Sequence, residues 1–293
     1  MKSYQNISDE FEIKKSSIKE IDALVKSHIK SLAYPMDSWL EDNLLFKATL
    51  YKLMRGNTCI GYAALLKKTL QFFHVRKEYF RYAPALFEKF IAEKAVKKVF
   101  VISQDSLLCA LIAEWEYKKV KQACFFTDSR KGGDTDTTID KAVFRTAVKA
   151  DVKRIREISG KYFDDKSCGF SCMEERIAAG MIFVLENKRN LLGCGIIEKG
   201  MVHLDCVSIG MFVNRDFRGK GYATAILLKL KEWAYQHDLK PIAGCWYYNT
   251  LSRKSLEAAG MIATSIGFEA VLKGKEKLPL RTGNPPGELV EEK

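Results

Sequence analysis

An apolar run, Val207-Ser208-Ile209-Gly210-Met211-Phe212-Val213, leads through Arg218-Gly219-Lys220-Gly221-Tyr222-Ala223 into an amphipathic segment, Thr224-Ala225-Ile226-Leu227-Leu228-Lys229-Leu230-Lys231-Glu232-Trp233. The order is strand, small-residue loop, helix. Such a loop exposes backbone N–H groups at the positive end of a helix, a ready seat for a pyrophosphate. Arg218 and Lys220 add positive charge beside it. The plain alternative is a tight turn, which glycine also serves. A nucleoside-triphosphate loop is excluded, because no Gly-Lys-Ser/Thr stands at the required spacing. A dinucleotide fingerprint beginning at Gly219 would need a third glycine where Thr224 stands. The stretch therefore predicts a phosphorylated cofactor.

Around it the second half reads as alternating elements. Ala142–Ala147 is a short strand, and Val152–Ile158 a helix with Asp151 as its expected N-cap. Glu174–Gly180 is a helix. Met181–Glu186 and Leu191–Glu198 form a hairpin about Asn187–Asn190. Pro241–Tyr248 is a strand, Ser252–Ala259 a helix stopped by Gly260, and Met261–Leu272 a last strand or hairpin. The first half repeats much of this order. Ile18–Leu32, Ala85–Ala92 and Ser106–Trp115 read as helices. Ala48–Met54, Thr58–Leu66, Leu70–Val75, Val99–Ile102 and Val120–Phe126 read as strands. The match of order predicts two copies of one fold, although residue identity between them is weak. A polar, glycine-containing stretch from Thr127 to Thr138 reads as a linker, and Lys273–Gly287 belongs to a polar tail expected to be poorly ordered. The expected units are 1–127, a linker at 128–141, 142–272, and a tail at 273–293.

No apolar run reaches the ~18 residues of a membrane helix, and the first residues lack a signal-peptide core. Eight cysteines make no CxxC pair. Cys168 and Cys172 have no nearby histidine, so no metal is expected. Free thiols suit a reducing cytosol, and a soluble, cytoplasmic protein is expected. The net charge of +12 suits an anionic partner. Most of it is spread, as in Lys94–Lys98 and Lys118–Lys121, which reads as a solvated face. No zinc-finger, RRM-type or KH-type signature points to nucleic acid.

Taken together, the motifs of the second half resemble the GNAT acyltransferases, the acetyl-CoA-dependent N-acetyltransferase superfamily. Arg218–Ala223 fits the family pattern [RQ]-x-x-G-x-[GA]. Asn249-Thr250-Leu251-Ser252, followed by Glu257-Ala258-Ala259-Gly260-Met261, resembles its second cofactor segment. Arg145-Thr146-Ala147 with Asp151 and Ile155 resembles its opening strand and helix. The likeness covers roughly residues 142–272. It implies an α/β fold with a mixed sheet, in tandem acyl-CoA N-acyltransferase-like domains, the first a degenerate copy. At the first copy's equivalent loop stand Arg76-Lys77-Glu78-Tyr79-Phe80-Arg81-Tyr82-Ala83-Pro84, with no glycine and an acid that repels phosphate. No coenzyme A is expected there.

The resemblance implies roles in the second copy. Backbone N–H groups of Arg218, Gly219, Lys220, Gly221, Tyr222 and Ala223 would hold the pyrophosphate of acetyl-CoA. Met211, Phe212 and Val213 would line its pantetheine arm, with backbone groups of Met211 and Val213 pairing with the amides. Asn249 and Ser252 would contact the arm from the other side, although Asn249 can equally be a helix cap. The implied chemistry is attack of a primary amine, on a small molecule or a peptide, on the thioester. Candidates for a base are Asp205, foremost, then His203 and Glu198. Asp205 is read on the strand, on the face of Val207, Ile209 and Met211; the alternative is that His203 and Asp205 sit near a turn and merely face water. The family often has a tyrosine seven residues after the asparagine as acid, and here that position is Leu256. Tyr247 or Tyr248 could replace it, though a core role suits either ring. Tyr34-Pro35-Met36-Asp37-Ser38-Trp39 is an aromatic, acidic cluster, read either as part of an acceptor pocket between the halves or as a loop packing Trp39 on the core. The competing function is an acyl-CoA-sensing or nucleic-acid-binding module with a vestigial transferase fold. Acceptor, acyl length and oligomeric state are left open.

Overall fold

The computed structural model describes residues 10–115, 117–129, 142–160, 163 and 172–272. Most of the expected linker, the tail at 273–293 and Cys168 lie outside them. Runs rich in β-branched and aromatic residues form twelve strands in one mixed sheet. From the first half come β1 (Phe11–Ser16), β2 (Thr49–Arg55), β3 (Thr58–Leu66), β4 (Thr69–Val75), β5 (Lys98–Ile102) and β6 (Lys118–Asp128). From the second come β7 (Val143–Thr146), β8 (Ile182–Glu186), β9 (Leu191–Lys199), β10 (Cys206–Val213), β11 (Lys240–Trp246) and β12 (Met261–Val271). The helices are α1 (Ile18–Ser31), α2 (Ser38–Asp42), α3 (Ala83–Glu93), α4 (Ser106–Ala113), α5 (Val152–Ser159), α6 (Met173–Ala178), α7 (Tyr222–Gln236) and α8 (Thr250–Ala258). None of them is long and apolar enough to cross a membrane.

Period-two alternation gives the sheet two apolar faces. Val99 and Val101 of β5 join the cluster under α3 and α4, while Phe100 and Ile102 join the one under α1 and α2. In the second half, Phe183 and Leu185 pack beneath α7 and α8, and Ile182 and Val184 beneath α5 and α6. Helices α3, α4, α7 and α8 therefore cover one face of the sheet, here called the front. Helices α1, α2, α5 and α6 cover the back.

The strand order β1-β2-β3-β4-β5-β12-β6-β11-β10-β9-β8-β7 departs from two side-by-side copies. Strand β12, from the end of the second half, lies between β5 and β6 of the first. Strand β6 in turn pairs with β11 of the second. Each half thus closes its sheet with the other's last strand. Residues 1–127 and 142–272 divide the chain order, but the backbone hydrogen bonding runs across that division.

Local readings differ in places. Strand β1 and helix α2 were not anticipated, and β12 is one long strand with two register shifts. Asp151 precedes α5, but its carboxylate caps nothing in that helix. It accepts instead from Val148 N–H at 2.9 Å and clamps the guanidiniums of Arg145 and Arg154.

Candidate active site

Strands β10 and β11 are parallel, and they pair only at Cys206–Lys240, Val207–Pro241 and Ser208–Ile242. Beyond Ser208 they diverge, although β10 stays paired to β9 as far as Val213. Asn214 N–H reaches Leu192 O across β9 at 3.0 Å. By alternation, Ile209, Met211 and Val213 then turn their backbone groups toward the β11 side, where no strand follows. The result is a fork with an unpaired edge. A cleft of about 670 Å³ occupies it.

The front mouth of the fork meets the start of α7. Gly219 and Gly221 have φ of 77° and 82°, values that side-chain-bearing residues rarely adopt. A Cβ built at either meets nothing within 4 Å, so the space above the loop is open. Among the described residues no side chain caps α7, which leaves its first-turn N–H groups able to receive an anion. Arg218 braces the loop, with Nε donating to Val213 O at 3.2 Å. Met211, Phe212, Val213, Arg218, Gly219, Gly221, Tyr222, Ala223, Asn249 and Ser252 all line the cleft. Lys220 does not; its ammonium lies 5.3 Å from the Phe217 ring centre. Asn249 caps α8, its Oδ1 accepting from Ser252 N–H at 3.1 Å. Cys245 lines the cleft as well, and burial pushes its thiol up to about 11, so it is not a thiolate at neutral pH.

Gly244 lines the cleft, and the first half packs against the back of it without itself lining the cleft. Ala243 packs toward the front, so Gly244 faces the back. The Asp37 carboxylate lies directly over it, and a Cβ at Gly244 would collide with Oδ2. Asp37 Oδ1 accepts from Leu40 N–H at 2.9 Å, starting α2. Ser38 N–H donates to Ser208 Oγ at 2.9 Å, and Ser38 Oγ donates to Glu198 Oε2 at 2.9 Å. Ser208 and Glu198 are cross-strand partners on β10 and β9. Glu198 Oε1 also accepts from Arg176 Nε at 3.3 Å, and Arg176 is 2% exposed. Glu41 takes the backbone N–H groups of Met201 and Val202. Burial pushes the Asp37 carboxyl up to about 7; Leu40 N–H opposes this, and the like charges of Glu198 and Glu41 reinforce it.

Asp205, expected as the base, is not on the strand. It sits in the turn before β10, where Lys240 Nζ meets its Oδ2 at 2.9 Å on a water-facing surface. The hydrogen bond from Lys240 holds its carboxyl below the ordinary value. From there to Met211 is six residues of strand, about 20 Å. Asp205 is therefore corrected to a surface ion pair at the wrong end of β10. His203 lies in the same turn and does not line the cleft. Tyr247 is partly buried against the front core and accepts a hydrogen bond from Lys121 at 3.0 Å, whereas Tyr248 is 53% exposed. Leu256 lines the cleft and is buried.

Two parts of the site were missed or only half read in the sequence. The 34–39 cluster, read either as part of an acceptor pocket or as a loop packing Trp39 on the core, places Asp37 against Gly244 of the cleft, a contact the sequence did not single out. Trp39 is 48% exposed and packs edge-on to Phe100 at 6.0 Å, so it is not a buried anchor. The first half has a fork of its own, with β4 and β5 pairing only at Thr69–Lys98 and Leu70–Val99. Side chains crowd the back face beside it. His28 and His74 stack at 4.2 Å, and His28 Nδ1 and buried Tyr62 OH are 2.7 Å apart.

An acetyltransferase (GNAT) domain model matches residues 17–129, and an acetyltransferase (GNAT) family model matches residues 152–261. No curated protein matches the chain. Among solved structures, a GNAT-family acetyltransferase from Colwellia psychrerythraea superposes with a TM-score of 0.76 at 16% identity, over 89% of this chain and 99% of that one. A GCN5-related N-acetyltransferase from Sphaerobacter thermophilus gives 0.61 at 13% identity, over 90% and 96%. A tandem GNAT protein from the clavulanic acid biosynthesis pathway gives 0.60 at 11%, over 89% and 98%. At such identities the likeness to these structures is one of fold.

Proposed function

The chain belongs to the GNAT acetyltransferase family, with two such domains in tandem, and from that premise we propose that it moves an acetyl or other short acyl group from acyl-CoA to a primary amine. The observation that carries this reading is the β10–β11 fork, open on one strand edge and joined to a glycine loop and an uncapped helix. An extended arm bearing amides can pair with Met211 and Val213 as a short added strand. Its pyrophosphate then falls at the start of α7, where Gly219 and Gly221 leave room and the helix dipole favours negative charge. The acyl end reaches Gly244. Residues 142–272 act as the donor-binding unit, with 1–127 completing the acceptor side.

Transfer is direct in this reading. Cys245, the thiol in the cleft, is held protonated, which argues against an acyl-enzyme on sulfur. The amine attacks the thioester carbonyl, and the C–S bond breaks as the C–N bond forms. A second reading, an acyl-CoA sensor, is favoured by one observation. Leu256 offers no proton to the leaving thiolate. Thiols are acidic enough to leave without such help.

The test uses the whole chain. Gly221→Glu places a carboxylate where the pyrophosphate would lie, and strains a φ of 82°. Calorimetry should show loss of acetyl-CoA binding in this variant with the circular dichroism spectrum preserved. Unchanged affinity would count against the donor site. Free thiol should appear when acetyl-CoA and a panel of small and peptide amines are added to the wild type. Tight binding without thiol release from any amine would favour the sensor.

A further inference from the structure

We propose that Asp37, contributed by the first half of the chain, is the general base that takes the proton from the acceptor amine. This rests on the acyltransferase reading above, and it goes beyond it by giving the glycine-free half a chemical task.

Geometry carries the assignment. Strand alternation puts the glycine loop and α7 on the front of the sheet, and Gly244 toward the back at the point where β10 and β11 part. A donor entering from the front presents its carbonyl at the back mouth. In this reading the amine approaches from the back, where the buried Asp37 carboxylate packs on Gly244, a lining residue, without lining the cleft itself. Glycine at that position is what lets the carboxylate come so close.

The neighbouring groups separate Asp37 from its rivals. Facing it are Glu41 on α2, the helix it precedes, and Glu198 on β9; Arg176 on α6 reaches Glu198, and β10 and β11 offer only Ser208 and Gly244. Both oxygens of Glu198 are engaged, one by Ser38 and one by Arg176. Glu41 is spent on backbone N–H groups of the β9–β10 turn. Asp37 has only Oδ1 committed, to Leu40, and forms no ion pair among the described residues. Glu198 and Ser38 are therefore positioning residues, holding the Asp37 segment against the fork. A carboxyl that titrates near neutral pH is also suited to accept a proton at working pH.

The step balances. Ionised Asp37 takes one proton from the ammonium of the acceptor. The free amine adds to the carbonyl, the C–N bond forms, and the C–S bond breaks. The second amine proton ends on the departing thiolate sulfur as free thiol. Asp37 returns its proton to solvent.

Asp37→Asn separates chemistry from structure, because asparagine also starts helices well. Full-length variant and wild type would be compared for turnover of acetyl-CoA with the best amine of the panel, across pH. The expected result is a kcat lower by about 10²–10⁴-fold, acetyl-CoA affinity unchanged, and loss of the limb that rises through pH ~7 in the wild type. Asp37→Ser, another helix-starting residue, should fall in parallel and regain rate with added formate. Wild-type turnover and an intact limb in Asp37→Asn would overturn the assignment. So would loss of the limb in Glu198→Gln with retention in Asp37→Asn. A wild type that binds acetyl-CoA but releases no thiol would instead overturn the acyltransferase reading, and this assignment with it.

Discussion

Among the described residues the Asp37 carboxylate has no cation beside it, unlike Asp151 and Asp128, which meet Arg145 and Lys231. Its burial has a consequence for stability. The folded carboxyl titrates near about 7 and the free side chain near 3.8. Between those values the native state holds a proton that the unfolded chain has lost. The native state then binds more protons, so stability falls as pH rises through the window. Asp37→Asn removes that dependence. In urea unfolding, its stability relative to wild type should rise by about 2–3 kcal/mol between roughly pH 5 and pH 8. An equal difference at both pH values would show that the wild-type carboxyl is ionised throughout. Asp37 was visible in the sequence as part of an acidic, aromatic cluster. Its partner Gly244 lies far down the chain, and no local pattern joins the two.

Edge strand β7 has four residues and, among the described residues, pairs only with β8. It is held by more than its ladder. Arg145, on β7, bridges Asp151 at 2.7 Å and Glu186 at 2.6 Å, and Arg154 of α5 reaches the same two acids. The hydrogen bond from Arg145 holds the Asp151 carboxyl below its ordinary value. The stabilisation is therefore complete above the free carboxyl's range and is lost as pH falls through the lowered one. Asp151→Ala also strands the Val148 N–H. It should cost about 2–3 kcal/mol at pH ~7 by urea unfolding, with acetyl-CoA affinity untouched because Asp151 does not line the cleft. A neutral effect would mean that β7 is held by its backbone alone. The same scale explains what the sequence could show. The β10 strand, its glycine loop, α7 and the Asn249 cap are local, each specified by neighbours within a few residues. Asp205 failed because alternation was carried past the strand's start. Strand pairing begins at Cys206 and Lys240, and periodicity does not mark where a partner begins.

Across the whole molecule, the exchanged strands explain why the two halves act as one. Between β5 and β6 of the first half stands β12, and between β12 and β11 stands β6. Side chains reinforce the exchange. Lys231 of α7, 2% exposed, meets Asp128 of β6 at 2.7 Å and Ala259 O at 2.6 Å. The same arrangement brings Asp37 to the second half's fork. None of this is written at short range, because repeat order is the same whether last strands are kept or exchanged. The prediction is a test of that exchange. Residues 1–129 alone would leave β5 and β6 with open edges where β12 belongs, and unpaired edges of this kind invite association. The piece should be aggregated or poorly protected from hydrogen exchange. Produced together with residues 142–293, the two pieces should form a stoichiometric complex with amide protection in β5, β6 and β12, and thiol release from acetyl-CoA should require both. A first piece that is monomeric and unfolds cooperatively by itself would show that β12 is dispensable to it. A second piece that turns over the amine without the first would remove the need for any residue of the first half in the chemistry.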